Sequence, residues 1–450
     1  MDEDRDGSDR STGERSRRDV LRAGGVLTGV ALSGPGLAAG VPAGDADPTD
    51  DEDADEGGTI GTWAASPQQP TDDAGHVRGF RDRTIRNVVR TSVGGAGVRV
   101  RFTNAYGRGS LTIDDASVGI WDADSRTVRG GTRPVPFDGD GSVTIRPGER
   151  AYSDPVPLEV GPERDVAVSL YAAAPTGPPT THEDARRTTY LAAGNRVDDA
   201  DGSAFSSPPA GESDVTASWF LLEGLDVVDP APDVGGSIVC LGDSITDGVG
   251  SSLDANATYP DRLAERVNGD PGVRRSLLNA GIGGNRLLDD TSCCGSAAVE
   301  RFEDDVLARP GVTDVVLLAG INDVGYAARK RAADVTVDDL VSGMERIVEG
   351  AHGNGVRVVG GTLTPFRGAS YYTAGGERVR RTVNEFVRTG GAFDGVVDFD
   401  EAIRDPDDPR RLRPAYDSGD HLHPNDDGYR AMAEAVDLDL FRDLDDEEDG

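Results

Sequence analysis

Ser237-Ile238-Val239-Cys240-Leu241-Gly242-Asp243-Ser244-Ile245-Thr246-Asp247-Gly248 is the stretch that decides the fold. Its first five residues form a short apolar run, the mark of a buried strand. Gly242 permits a tight turn, and Ser244 stands where strand gives way to helix. Comparable runs follow at 276–279, 314–319, 356–359 and 395–399. Helical periodicity lies between them. Val337, Leu340, Val341, Met344, Ile347, Val348 and Ala351 share one helical face, and Val379, Val383, Phe386 and Val387 share another. The alternation predicts a five-stranded parallel sheet with helices on both sides, a three-layer α/β/α domain over residues 237–444.

Upstream the period changes to two. Val98, Val100 and Phe102 alternate with Arg99, Arg101 and Thr103, and Val166, Val168 and Leu170 repeat the pattern. Gly, Pro and Asp clusters separate these runs, and long helical patterns are absent. The spacing predicts an all-β sandwich or jelly-roll domain over residues 59–228. Residues 229–236, rich in Pro, Gly and Asp, read as a linker, and 445–450 as an acidic tail.

The amino terminus reads as an address. Arg17-Arg18 precedes an uncharged segment rich in Gly, Ala, Val and Leu, which ends in small residues at Ala38, Ala39 and Ala43. Residues 1–44 thus look like a twin-arginine export signal, and 45–58 like a solvated acidic linker. The expected destination is outside the cell.

Charge narrows the partners. Asp and Glu number 81 against 46 Lys and Arg, a net of −35, and Lys330 is the one lysine. Such a surface repels nucleic acid and anionic membranes. It suits work in high salt, where repulsion is screened. No run of about 18 strongly apolar residues occurs, so a multi-span membrane protein is excluded. Cys240 sits in an apolar run as a small hydrophobe. Adjacent Cys293 and Cys294 stand too close for an unstrained disulfide, and without a CxxC spacing no zinc site is expected.

Ligands gather at the carboxyl ends of parallel strands, so the residues after each strand carry the chemistry. Ser244 follows the first strand and could serve as an exposed nucleophile or only as a helix cap. The second is followed by Asn279-Ala280-Gly281-Ile282-Gly283-Gly284-Asn285, whose glycines let amides approach a ligand, or simply make a turn. The third is followed by Gly320-Ile321-Asn322-Asp323, where Asn322 offers a side-chain donor. Near the carboxyl end stands Asp420-His421-Leu422-His423, where an Asp three residues before a His can orient its imidazole. A serine, a His with its Asp, an amide donor and a glycine turn at one sheet edge are the parts of acyl-transfer catalysis.

These blocks resemble the SGNH or GDSL hydrolases. Gly242-Asp243-Ser244, Gly284, Gly320-x-Asn322-Asp323 and Asp420-x-x-His423 carry the likeness, in order. The stretches 101–107, 361–366 and 419–425 are similar to a secreted two-domain subgroup. An ordinary α/β-hydrolase is disfavoured, because Ile245 and Thr246 leave no Gly-x-Ser-x-Gly elbow. The resemblance implies a serine esterase or lipase with Ser244 as nucleophile, His423 as base and Asp420 as its orienting carboxylate. It implies an oxyanion hole from the amides of Ser244 and Gly284 and the side chain of Asn322, with no metal or organic cofactor. The expected substrate is a small-molecule or polysaccharide ester, with acetyl or short acyl groups on carbohydrate preferred and a lipase or lysophospholipase activity as the alternative. Two readings from other classes compete. One is a metal hydrolase using His421 and His423 with Asp420 and Asp426. The other is a glycan-binding protein with an inactive hydrolase domain; Trp63, Tyr106 and Trp121 could serve it but suit a core better.

Overall fold

The run that begins at Ser237 becomes an inner strand of a five-stranded parallel sheet. A computed structural model describes residues 58–70, 79–206, 217–327 and 335–442. The export segment, most of the acidic linker, His76, Lys330 and the acidic tail lie outside the described residues. The sheet runs Ser276–Gly281, Ser237–Gly242, Val312–Leu318, Arg357–Gly361, Gly395–Val397 across its width. Every neighbouring pair is parallel. Ser237–Gly242 pairs on both sides and is wholly buried, which explains a strand with no polar alternation. The chain winds one way from this strand and the other way from Val312–Leu318. That reversal opens a crevice at their carboxyl ends, the place where such sheets bind ligands.

Helices cover the sheet. Tyr259–Gly269 packs against Asp426–Glu434, while Val337–His352 packs against both Ala298–Phe302 and Ala374–Thr389. Their starts are written in the sequence. Thr258 with Asp261, and Thr336 with Asp339, form reciprocal capping boxes, each satisfying amides that a helix end leaves unpaired. The face predicted for the helix Val337–His352 is the one that packs, with Leu340, Met344, Ile347, Val348 and Ala351 buried. The last strand is shorter than its apolar run, because Asp398 caps a helix that begins at Phe399.

The preceding domain is built from antiparallel sheets. One has the order Thr59–Ala64, Leu222–Pro230, Gly95–Thr103, Arg150–Tyr152; another has Tyr190–Ala193, Arg83–Arg90, Asp165–Ala172, Asp115–Asp122, Thr127–Pro134. Val98, Val100 and Phe102 enter one shared core with Val166, Val168 and Leu170, as their two-residue period requires. Trp63 and Trp121 are 8% and 7% exposed and belong to the cores. The final strand continues to Pro230, pairing with Gly95. The connection to the α/β domain is therefore shorter than its Pro and Asp content suggests.

The two parts are joined by buried contacts. Thr59–Ala64 lies against Ser276–Gly281, and Ser92 Oγ is 2.9 Å from Ser276 Oγ. Arg309 pairs with Glu223 at 3.2 Å, both side chains 1% exposed. The described residues form one compact unit.

Gly281 ends its strand directly beneath the turn after Gly242. A Cβ there would stand 2.2 Å from the Asp247 amide nitrogen, and backbone cannot yield as a side chain can. Gly281→Ala is expected to cost about 1–3 kcal/mol of stability through overpacking. Urea unfolding checks this; a variant as stable as the parent would show that the approach is looser than described.

Candidate active site

Four turns converge at the crevice. The first is a single helical turn, Ser244–Asp247, capped by the Asp243 carboxylate accepting from the Ile245 amide. Gly248 closes it with φ of 106°, a conformation that favours glycine. Ser244 is the first helical residue, so its amide has no intrahelical partner. The second turn carries Gly284, whose φ is 71°. The third opens the helix Ile321–Ala327 and carries Asn322. The fourth is the loop before Asp426–Glu434, bearing Asp420 and His423. One cleft is lined by Ser244, Gly284, Asn322 and His423, with Cys294 and Tyr371 beside them.

A hydrogen-bonded row crosses this cleft. His423 Nε2 lies 2.8 Å from Ser244 Oγ, and His423 Nδ1 lies 2.5 Å from Asp420 Oδ2. An ionised carboxylate only accepts, so Nδ1 carries the proton and Nε2 is free to accept from the serine hydroxyl. Asp420 Oδ1 also accepts the Leu422 and His423 amides, each at 2.9 Å. Partial burial opposes ionisation of Asp420, but the bonds from the His423 ring and amide outweigh it and hold its carboxyl well below the usual range. His421 turns to a different carboxylate, with Nδ1 2.6 Å from Asp417 Oδ2. The His421 and His423 pair is thus divided between two acids. Among the described residues no group of three His, Cys, Asp or Glu side chains is placed to hold a metal ion.

Polar side chains behind the cleft fix these turns. Asp323 accepts the Leu287 and Leu288 amides at 2.8 and 3.1 Å and so anchors the chain just after Gly284. Burial pushes its carboxyl up to about 6. Asn322 Nδ2 donates to the Asn285 carbonyl at 2.9 Å, and Tyr371 donates to Asn322 Oδ1 at 3.2 Å. Arg301 is buried and donates to the carbonyls of Gly242 and Ala280, each at 2.8 Å, and to Asn285 Oδ1 at 3.0 Å.

Several of these residues escape a sequence reading. Arg301 sits in an unremarkable helix, Ala298–Phe302, where an Arg reads as surface. His182 lies in the short strand Thr181–His182 of the β domain, yet its Nε2 lies 3.0 Å from Asp247 Oδ1, behind the Ser244 turn. The scarcity of histidine, five in the chain, is the one signal that could have singled it out. Cys293 and Cys294 are joined in a disulfide with their Cα atoms 3.8 Å apart. Their loop is pinched by the Thr291 amide donating to the Gly295 carbonyl at 3.0 Å, which turns both sulfurs together. Cys294 Sγ lies against Gly284, where an added Cβ would stand 2.7 Å from it. Tyr106 is half-buried at the edge of this loop, its hydroxyl 3.4 Å from Ser296 Oγ.

Residues 240–431 match the model of the GDSL-like Lipase/Acylhydrolase family. No curated protein matches the sequence. Among solved structures, the chain is similar to a G-D-S-L family protein from Desulfitobacterium hafniense, 22% identical, with 46% of this chain and 99% of that one covered and a TM-score of 0.35. It is similar to a GDSL-like lipase from Bacteroides thetaiotaomicron, 19% identical over 46% of this chain and 88% of that one, with a TM-score of 0.33. A carbohydrate acetylesterase family member from Sinorhizobium meliloti is 17% identical over 44% of this chain and 94% of that one, with a TM-score of 0.36.

Asp243, 1% exposed, yields a pH prediction. Burial pushes its carboxyl up to about 7, against the pull of the Ile245 amide and His423. Its folded value lies above the unfolded one, so ionisation is resisted in the fold. Its effect on stability is therefore a loss as pH rises from about 4 to about 7. Asp243→Asn is expected to abolish that loss, matching the parent near pH 4 and exceeding it by on the order of a few kcal/mol above pH 7. Urea unfolding across this range decides. Parallel curves for the two proteins would contradict a carboxyl that resists ionisation.

Proposed function

We propose that the α/β domain, whose residues 240–431 match the model of the GDSL-like Lipase/Acylhydrolase family, is a carboxylic ester hydrolase with a serine mechanism centred on Ser244. His423 Nε2 accepts the Ser244 proton as Oγ attacks the ester carbonyl carbon. The resulting oxyanion takes hydrogen bonds from the amides of Ser244 and Gly284 and from Asn322 Nδ2. The tetrahedral centre collapses, the C–O bond breaks, and His423 returns its proton to the leaving alcohol. Water, deprotonated by the same ring, then releases the acid and restores Ser244. Asp420 keeps His423 in the required tautomer and stabilises the imidazolium that forms. The observation that carries this reading is the row from Ser244 Oγ to His423 at 2.8 Å and on to Asp420 at 2.5 Å.

The preferred substrates are acetyl or short acyl esters of carbohydrate. Support comes from the cleft's polar rim, to which Gln68, Glu183 and Asp184 contribute. An acidic rim on a chain of net charge −35 disfavours anionic lipid surfaces. Arg17-Arg18 and the uncharged stretch after it support export through the twin-arginine route, with hydrolysis outside the cell.

Ser244→Ala is expected to fold and to lose nearly all hydrolysis of nitrophenyl esters, and a serine-directed phosphonate should label the parent alone. His423→Ala should cost several orders of magnitude in rate, His421→Ala far less. Turnover should fall as acyl length rises. Full activity in Ser244→Ala would end the serine mechanism, and a preference for long chains would end the short-acyl assignment.

Salt supplies a separate test. Residues 1–40 hold seven acidic and six basic residues, so the chain from Val41 keeps −34 of the −35. The Debye length shrinks from about 10 Å at 0.1 M salt to about 3 Å at 1 M, muting repulsion between neighbouring carboxylates. Folding and activity are expected to need molar salt. Melting in a potassium chloride series checks this, and a flat melting temperature with full activity in dilute buffer would refute the adaptation.

A further inference from the structure

Besides lining the rim of the cleft, the β domain reaches behind the nucleophile turn through His182. His182, 3% exposed, pairs in register with Trp219. Its ring packs on the Trp219 indole with centroids 5.4 Å apart, and Trp219 is itself held edge-on by Trp63 at 4.8 Å. The imidazole is thus fixed before it meets the α/β domain.

Both of its nitrogens are engaged. Nδ1 lies 2.9 Å from the Ser66 carbonyl oxygen, and Nε2 lies 3.0 Å from Asp247 Oδ1. A carbonyl can only accept, so Nδ1 carries a proton. One more proton lies between Nε2 and Oδ1, and either placement keeps the bond. Burial alone would favour a neutral ring, but the Asp247 carboxylate prevails and raises the proton affinity of His182 above the ordinary imidazole value. Burial likewise raises that of Asp247, against the pull of the ring.

Asp247 occupies a joint between two catalytic turns. It is the last residue of the helical turn that begins at Ser244, and its amide donates to the Asp243 carbonyl at 2.9 Å. Its carboxylate borders the glycine turn, with Oδ2 3.6 Å from where a Cβ would stand on Gly283, next to Gly284. Among the described residues, His182 is the one side chain hydrogen-bonded to that carboxylate. A buried carboxylate without its partner is strongly destabilised where it stands. Removing the partner would therefore press on the two turns that present Ser244 and Gly284.

We infer that His182 is a positioning residue of the esterase centre, acting through Asp247 on the nucleophile turn and the glycine turn, so that the β domain is a working part of the active site. The inference rests on the serine-esterase reading above. A role as interdomain glue alone would change stability and leave the turnover of folded molecules untouched.

The test uses the full chain. His182→Phe keeps a flat ring and removes both nitrogens. It is expected to lower kcat about 10- to 100-fold per folded molecule, the size of effect that a small misplacement of catalytic groups produces. KM should stay within about threefold, and the acid limb of the pH profile should stay in place, because His423 is untouched. Phosphonate labelling of Ser244 should slow in parallel. His182→Gln, which keeps a donor facing Asp247, should recover kcat to within about fivefold of the parent. Unchanged kcat in His182→Phe, or a Gln variant as slow as the Phe variant, would overturn the inference. If the Phe variant does not fold, His182→Asn replaces it, since its short amide cannot span Ser66 and Asp247, with the same expected loss and the same refuting result. A parent protein that neither hydrolyses esters nor takes the label would instead overturn the serine reading, which separates the two failures.

Discussion

The buried guanidinium of Arg301 is the contact on which the site's geometry depends. It gathers the carbonyl of Gly242, where the first strand ends, and that of Ala280, near the end of the second. The same group holds Asn285 beyond the glycine turn and reaches Ser66 Oγ of the β domain at 3.0 Å. Asp305 supplies the balancing charge at 2.8 Å. A guanidinium offers five donors in a planar fork, whereas an ammonium is a single point with three. Two strand ends, a loop and a neighbouring domain are therefore locked by one rigid group that a lysine could not replace. A chain with 45 arginines to one lysine uses that stiffness inside as well as on its surface.

The same economy of space explains why the turns are rich in glycine. Where Gly281 passes beneath Asp247 and where Gly284 meets Cys294, added Cβ atoms would lie 2.2 and 2.7 Å from their neighbours. At Gly281 the strand end and the helical turn approach as backbones. At Gly284 a disulfide occupies the volume that a side chain would need. Hydrogen-bond donors can then be brought near one point because nothing stands between them and the carbonyl they would meet.

Much of this was legible in the sequence, for a physical reason. A parallel sheet writes its strands as apolar runs and its chemistry at their ends, so Ser244, Gly284 and Asn322 could be located by reading past each strand. Asp420 and His423 could be paired because they stand three positions apart in one loop. His182 could not be placed, because 65 positions and a different sheet lie between it and Asp247. Arg301 could not either, because a buried charge and a solvated one look alike in a short helix. The cysteine bond could not be read either: adjacency argues only against an unstrained disulfide, and nothing in the sequence says that a pinched loop turns both sulfurs the same way.

The state of the sulfurs has a practical side. Cys293 and Cys294 are bonded to each other, and Cys240 is buried, its thiol pushed up to about 12 by burial. The oxidised protein thus presents no thiolate at neutral pH, and the thiolate is the form that reacts. A cysteine introduced on the outer surface would be the single nucleophilic sulfur of the folded chain. Spectroscopic labels, surface tethers or crosslinks could be attached at one chosen position with every native residue left in place.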